Sequence, residues 1–294
     1  MTEETLSVIG CGTMGFAVLS GVLDSRAEAK SNASETTEGA DLLPGNFIAT
    51  VQRPQSAKNL QKKLEDAGHN SVEILLQGNV EAARRGDYVI LGSKPQMVAD
   101  ILAEEGMVEA LKGKVLISLC AGLRVDKLKS MVDPSTRVVR AMPNTPCRIR
   151  EGMTVLSPLG SDSSEHEQNV LQAIFSAVGR CHFLHEKHFD AVTALAGSGP
   201  AFYTLFLEAM ADGGVMMGLP RPEALELAAQ TMQGAARMVL QTGMHPAALK
   251  DSVTTPGGCT IAGLLQLEDG KVRSTVARTV QAAAEHAAGL GGPK

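Results

Sequence analysis

Leu6 to Ile9 form a short apolar run, followed at once by Gly10-Cys11-Gly12-Thr13-Met14-Gly15 and then by a helical-looking segment from Phe16 to Leu23. No other stretch restricts the fold as much. A strand, a glycine turn and a helix in that order form the opening of a βαβ unit. In that setting each glycine has its own task. The first makes the turn, the second admits a pyrophosphate against the backbone, and the third lets helix and strand approach. Gly10, Gly12, Thr13, Met14 and Gly15 are therefore expected to hold a dinucleotide, with the first N–H groups of the helix facing its phosphates. A plain turn with no ligand is the simpler alternative, and the strand-to-helix context argues against it.

Residues 25–46 lengthen the first crossover with a polar stretch rich in Ala, Ser, Glu and Thr, ending Leu42-Leu43-Pro44-Gly45. Its low hydrophobicity predicts an exposed, mobile insertion. Phe47 to Val51 should be the second strand, and its end bears on the cofactor. An enzyme preferring NAD usually places Asp or Glu there, whereas this chain reads Gln52-Arg53-Pro54-Gln55-Ser56 with Lys58 just beyond. Arg53 and Ser56 suit a 2′-phosphate through charge-assisted hydrogen bonds, which predicts NADPH with NADH also possible. A merely solvated Arg53 is the alternative.

Further runs at Val72–Leu76, Tyr88–Leu91, Val115–Leu119, Val138–Ala141 and Cys181–Leu184 read as strands. Helical segments are expected at 79–86, 97–111 and 165–178. Alternation of this kind predicts an α/β fold with a doubly wound, mostly parallel, Rossmann-like sheet, whose ligand lies beyond the carboxyl ends of the strands. The loops there are Gly92-Ser93-Lys94-Pro95-Gln96, Cys120-Ala121-Gly122 and Met142-Pro143-Asn144-Thr145-Pro146. Ser93, Lys94, Pro95, Ala121 and Asn144 are the cofactor contacts expected from them.

From Glu186 onward the pattern becomes helix after helix, at 200–218, 221–242, 245–252, 257–268 and 271–289. With 294 residues, of which 44% are hydrophobic, two domains are expected, 1–184 and an all-α 185–294. Small residues such as Ala228, Gly234, Ala282 and Ala287 permit close helix contacts, and such smooth helices call for a second subunit to cover them. A net charge of −5, 3% aromatics and no Trp argue against nucleic-acid or anionic-membrane partners. Cys11, Cys120, Cys147, Cys181 and Cys259 are scattered with no Cys-x-x-Cys pair, as reduced thiols are. No signal-like leader and no membrane-length apolar run stands out, so a cytoplasmic protein is expected.

The second informative stretch is Thr254-Thr255-Pro256-Gly257-Gly258-Cys259-Thr260, ahead of the apolar Ile261 to Leu265. Proline removes a donor and paired glycines loosen the backbone, so this is a tight turn opening a helix. Unpaired N–H groups at the helix start, with the hydroxyls of Thr255 and Thr260, make a socket for a small carboxylate. Ordinary capping is the plainer account of the same residues. Other groupings carry less. His182, His185 and His188 recur at intervals of three, yet nothing completes a metal-ligand set, and no metal is expected. Glu208 and Asp212 lie one helical turn apart as a polar stripe. Lys94 could act as an acid, yet orienting the cofactor and its loop is the role expected of it.

Taken together, the chain resembles the pyrroline-5-carboxylate reductases. The resemblance rests on Gly10 to Gly15, Lys94-Pro95-Gln96, Arg140 through Pro146, Gly197-Ser198-Gly199-Pro200-Ala201-Phe202, Asp212-Gly213-Gly214, His245-Pro246 and, above all, Asp251 through Glu268. It departs from the family at Ala196, Phe202 and Cys259 and in the 25–46 insertion. The resemblance implies a helical dimerisation domain, a homodimer or ring of dimers, and hydride transfer from NAD(P)H to Δ1-pyrroline-5-carboxylate to give L-proline. It also implies site roles. Thr255, Gly257, Gly258, Cys259 and Thr260 would bind the substrate carboxylate, and the Thr260 hydroxyl would meet the ring nitrogen. A reductase of the same layout acting on a β-hydroxy acid or another cyclic imine, and a dinucleotide sensor without catalysis, are the rival functions. The lysines of the helical half, Lys187, Lys250 and Lys271, sit in no context suited to the hydroxy-acid chemistry.

Overall fold

In the computed structural model, which describes residues 3–31, 40–160 and 163–290, β1 (Thr5–Ile9) leads through the glycine turn into α1 (Thr13–Ser31). Then follow β2 (Asn46–Val51), α2 (Pro54–Asp66), β3 (Val72–Leu76), α3 (Asn79–Arg85) and β4 (Tyr88–Leu91). Next come α4 (Val98–Leu102), α5 (Met107–Ala110), β5 (Val115–Ser118), α6 (Val125–Lys129), β6 (Arg137–Met142), β7 (Gly152–Leu156), α7 (Glu165–Ser176) and β8 (Gly179–Phe183). The eight strands form one sheet in the order β3-β2-β1-β4-β5-β6-β7-β8. All neighbours run parallel except the antiparallel pair β6 and β7. The order reverses between β1 and β4, which places a crevice there at the carboxyl ends of the strands.

Alternate residues of each strand serve opposite faces of the sheet. Leu6 and Val8 of β1 join Val18, Leu19, Ile90, Ile174 and Phe175 on one side, while Ile9 joins Leu91, Ile101, Leu116, Leu128 and Val138 on the other. Burial on both faces explains why these strands read as nearly unbroken apolar runs.

Three expectations are corrected within this sheet. Residues 25–31 belong to α1, because Ala, Glu, Arg and Lys favour helix without any apolar stripe to advertise it. The far end of the insertion is packed rather than exposed: Leu43 is buried, and Arg26 donates to the carbonyls of Leu43 and Pro44 at 2.7 and 2.8 Å. Residues 32–39 of the insertion lie outside the described residues. The helix expected over 97–111 is broken into α4 and α5, since Gly106 stands between them at φ +84°.

Beyond the sheet lie α8 (Phe189–Val192), α9 (Gly199–Met216), α10 (Arg221–Thr242), α11 (Pro246–Ser252), α12 (Cys259–Asp269) and α13 (Val272–Leu290). Among the described residues one compact unit runs to Gly197 and includes the chain from Ala284, and the other is Ser198–Ala283. This division falls after the expected 184/185 boundary because Phe189 and Val192 pack against Met142 and Val155 of the sheet unit. The helical unit buries little by itself: between 198 and 283 only Gly199, Ala211 and Ala224 are buried.

Candidate active site

The glycine turn after β1 is built as its sequence requires. Gly10 has φ +70°, and a Cβ there would stand 3.0 Å from the Cβ of Ser93. Gly15 permits the close approach of α1 to the sheet, since its Cβ would lie 2.9 Å from Val8 Cγ1. Gly12 differs from both. A Cβ on it would meet only Gly10 O and Gly92 O at 3.9 Å, an ordinary contact, so the protein leaves room above that backbone. Phe16 N–H makes the first helical bond, to Gly12 O at 2.9 Å, and the N–H groups of Thr13, Met14 and Gly15 precede it. Free N–H groups at a helix start are positively polarised, the property on which an anion site draws.

A cavity of about 250 Å³ opens over the turn, lined among others by Gly10, Gly12, Arg53, Ser56, Ser93 and Lys94. Six of the expected cofactor residues thus meet in one cleft. Arg53 is the N-cap of α2 and forms no ion pair among the described residues. Ala57 N–H makes the first bond of that helix, to Arg53 O at 3.1 Å, so the Gln55 and Ser56 N–H groups add to the positive character of this rim. Ser93 Oγ is a buried hydroxyl with no hydrogen-bond partner among the described residues.

The other expected cofactor residues lie around the cleft without lining it. Thr13 and Met14 open α1, where Met14 packs against the cluster of Ala17, Cys147 and Val178. Pro95 starts a 3-10 turn, and Ala121 is exposed in the loop after β5. Asn144 is committed within the protein at both polar ends: its Nδ2 donates to Ala196 O at 3.1 Å, and its Oδ1 accepts the Met153 N–H at 2.9 Å. Thr50, Asn79, Met97 and Ile101 also line the cleft and were not anticipated. A threonine inside the apolar run Phe47-Ile48-Ala49-Thr50-Val51 was the available signal.

Neither Cys11, which lines the cleft, nor Cys120 beside Ser93 is poised as a nucleophile. Burial pushes the Cys11 thiol up to about 12 despite the nearby Lys63 charge. Burial also raises Cys120, whose Sγ contacts Ser93 O at 3.2 Å. Both thiols therefore stay neutral beside the glycine turn. Among the described residues no three His, Cys, Asp or Glu side chains gather as a metal site would need.

In the helical unit, Thr255-Pro256-Gly257-Gly258 closes a turn in which Gly258 N–H donates to Thr255 O at 3.1 Å and Gly257 takes φ +67°. Proline second and a positive-φ glycine third is the pattern of a type II turn. A Cβ on Gly258 would stand 2.4 Å from Thr255 Oγ1, so that hydroxyl lies directly over the glycine. Gly258 is the N-cap of α12, with no side chain capping it. The socket therefore differs in detail from its expected form. The Gly258 N–H is spent on the turn, and the N–H groups that precede the first intrahelical donor are those of Cys259, Thr260 and Ile261. Thr254 and Ser252 bond backbone carbonyls of α11, whereas Thr255 and Thr260 donate to no partner among the described residues.

Comparison with known proteins extends this. A family model described as pyrroline-5-carboxylate reductase dimerisation matches residues 186–290. Another, described as NADP oxidoreductase coenzyme F420-dependent, matches residues 5–122. The pyrroline-5-carboxylate reductase of Schizosaccharomyces pombe is 48% identical over 286 residues, which is 97% of this chain and 98% of that one. The enzyme of the same name from Lophium arboricola is 50% identical over 303 residues, covering 99% and 94%. Among solved structures, Plasmodium falciparum pyrroline carboxylate reductase with NADP bound superposes with a TM-score of 0.77 at 28% identity over 99% of each chain.

Proposed function

The chain belongs to the pyrroline-5-carboxylate reductase family, and from that premise we propose how its residues divide the work of reducing Δ1-pyrroline-5-carboxylate to L-proline with NAD(P)H. The protein is an oxidoreductase acting on a C=N bond, in the last step of proline biosynthesis. Gly12 carries the cofactor assignment. Its backbone is open where neither neighbouring atoms nor backbone conformation require glycine, which fits a cradle kept clear for a pyrophosphate.

Gly10, Gly12, Thr13, Met14 and Gly15 hold the phosphates, and Arg53 with Ser56 holds the 2′-phosphate that favours NADPH over NADH. Ser93, Lys94, Pro95, Ala121 and Asn144 form the loops on the nicotinamide side. For Asn144 this is a bracing role, given its two internal bonds. When bound, the reduced nicotinamide supplies a hydride to C5 of the protonated imine, whose nitrogen becomes the amine of proline. Such an imine is already electrophilic, so the protein's contribution is to hold and orient it. The helix start at Cys259 and Thr260, with Thr255, Gly257 and Gly258, holds the substrate carboxylate. The Thr260 hydroxyl, unpartnered among the described residues, meets the ring nitrogen and selects the face presented for reduction.

The helical part from residue 185 is the dimerisation half, in a homodimer or a ring of such dimers. Its match to the dimerisation model from residue 186 supports this. We place the protein in the cytoplasm, in keeping with its four buried free thiols. The test is NADPH oxidation with freshly prepared pyrroline-5-carboxylate, with NADH in parallel and proline assayed as product. Turnover with NADPH the better donor is the expected outcome. A folded protein that binds NADPH and leaves this imine unreduced would overturn the assignment.

A further inference from the structure

The glycine turn is fastened to the sheet by a single residue of β2. Thr50 accepts two successive N–H groups of the turn: Gly10 N–H reaches its Oγ1 at 3.1 Å, and Cys11 N–H reaches its main-chain oxygen at 2.8 Å. The Thr50 side chain is fully buried, and its hydroxyl has one proton to give. That proton goes to Asn79 Oδ1 at 2.7 Å, while Asn79 Nδ2 donates to Glu104 Oε1 at 2.7 Å. Asn79 is 3% exposed and lines the cleft, whereas Glu104 sits in the turn between α4 and α5, where its carbonyl accepts the Met107 N–H.

The donors and acceptors in this chain are all of one polarity, and the carboxylate at its end sets the polarity. An ionised carboxylate only accepts, so it must face the NH₂ of Asn79 and never its oxygen. The Asn79 oxygen is thereby turned to Thr50, and the Thr50 proton has an acceptor. The hydroxyl lone pair is then left for Gly10, the residue held at φ +70°. Reversing Asn79 would set its oxygen against the carboxylate and strand the buried hydroxyl proton, and unmet buried groups of this kind are costly.

We propose that Glu104, acting through Asn79 and Thr50, is a positioning residue for the dinucleotide cradle, locking the hydrogen-bond direction that holds the Gly10 turn open for the pyrophosphate. The proposal rests on the cofactor being bound over the Gly10 to Gly15 turn, as assigned above. Glu104 itself is not among the residues lining the cleft.

The test is the dissociation constant of NADPH, read from reduced-nicotinamide fluorescence, together with separate KM values for NADPH and the imine. Glu104→Leu and Thr50→Val should weaken NADPH by about tenfold or more, as expected for a stranded buried hydrogen bond. The imine KM and the kcat at saturating NADPH should hold within about twofold on the same argument. Glu104→Gln and Thr50→Ser can restore the polarity and should recover most of the affinity, which a purely structural loss at these positions would not do selectively. Should Thr50→Val fail to fold, the contrast between Glu104→Leu and Glu104→Gln carries the test alone. Gly12→Ala separates the two layers, because the fold has room for that methyl and a bound pyrophosphate does not. If Gly12→Ala abolishes binding while Glu104→Leu and Thr50→Val bind NADPH like the parent, the relay is wrong and the cleft stands. If Gly12→Ala binds NADPH normally, the cleft assignment falls and the relay with it.

Discussion

A glycine can be demanded by its neighbours or by a ligand, and the glycines of the first turn divide along that line. Gly10 and Gly15 are crowded by Ser93 and Val8, while a Cβ on Gly12 would make only ordinary contacts at 3.9 Å. The same distinction applies to hydroxyls. Ser252 and Thr254 are consumed by backbone carbonyls, and Thr260, at the start of α12, donates to no partner among the described residues. Thr260→Ala therefore removes no bond that the protein makes for itself, and its unfolding free energy should move by no more than about 0.5 kcal/mol. Its kcat should fall by roughly tenfold to a hundredfold, as loss of one positioned hydrogen bond at a reacting atom does, with NADPH affinity unchanged. Steady-state kinetics and a thermal melt on the same preparation check both halves, and full turnover by the variant would remove the role. Residues of this kind were legible in the sequence because turn chemistry is local: Pro256, Gly257 and Thr260 announce themselves by spacing. Thr50, Asn79 and Glu104 did not, because their meaning lies in partners 25 to 40 positions away that only the folded sheet brings together.

At the scale of elements, strand and helix types could be read wherever a segment is buried on both faces or on one stripe. β1, β2, β4 and β5 appear as apolar runs, and α9, α10, α12 and α13 appear as unbroken helical patterns. β7 was not recognised, since Gly152-Met153-Thr154-Val155-Leu156 follows a 3-10 turn closely and pairs in opposite directions with its two neighbours. The junction of β2 with α2, expected to meet the ribose end of a dinucleotide, lines the same cleft as the glycine turn. There the N-cap Arg53, with no ion pair among the described residues, stands with Ser56 at the start of a 13-residue helix. An arginine in that position discriminates by charge: it bonds a 2′-phosphate and has little to offer a 2′-hydroxyl. Arg53→Ala should therefore raise the KM for NADPH by about tenfold to a hundredfold and the KM for NADH by less than about threefold. Equal losses for the two cofactors would show that Arg53 is solvated rather than engaged.

At the scale of the whole molecule, the two units differ in what they can bury alone. The sheet unit encloses large side chains such as Phe175, Phe189 and Met107, while the helical unit leaves Leu205 at 66%, Met210 at 65% and Met216 at 88% exposure. Tyr203, Phe206 and Met210 follow one another at helical spacing along α9, so a single stripe of that helix carries all three into solvent. Each large apolar side chain covered on association is worth about 1.5–3 kcal/mol, and a stripe of them exceeds what a lone chain ordinarily leaves exposed. The family's dimerisation half therefore has a physical need for a second copy, and oligomer stability and fold stability should be linked by mass action. Light scattering should find at least twice the mass of one chain, with a melting temperature that rises with protein concentration. Phe206→Asp, which buries a charge if α9 is covered and is harmless if it is not, should shift the population toward single chains and lower the melting temperature. A variant that keeps both the parent mass and the parent melting temperature would show that this stripe of α9 faces water in the assembled protein, and the covering surface would then have to lie on the remaining helices.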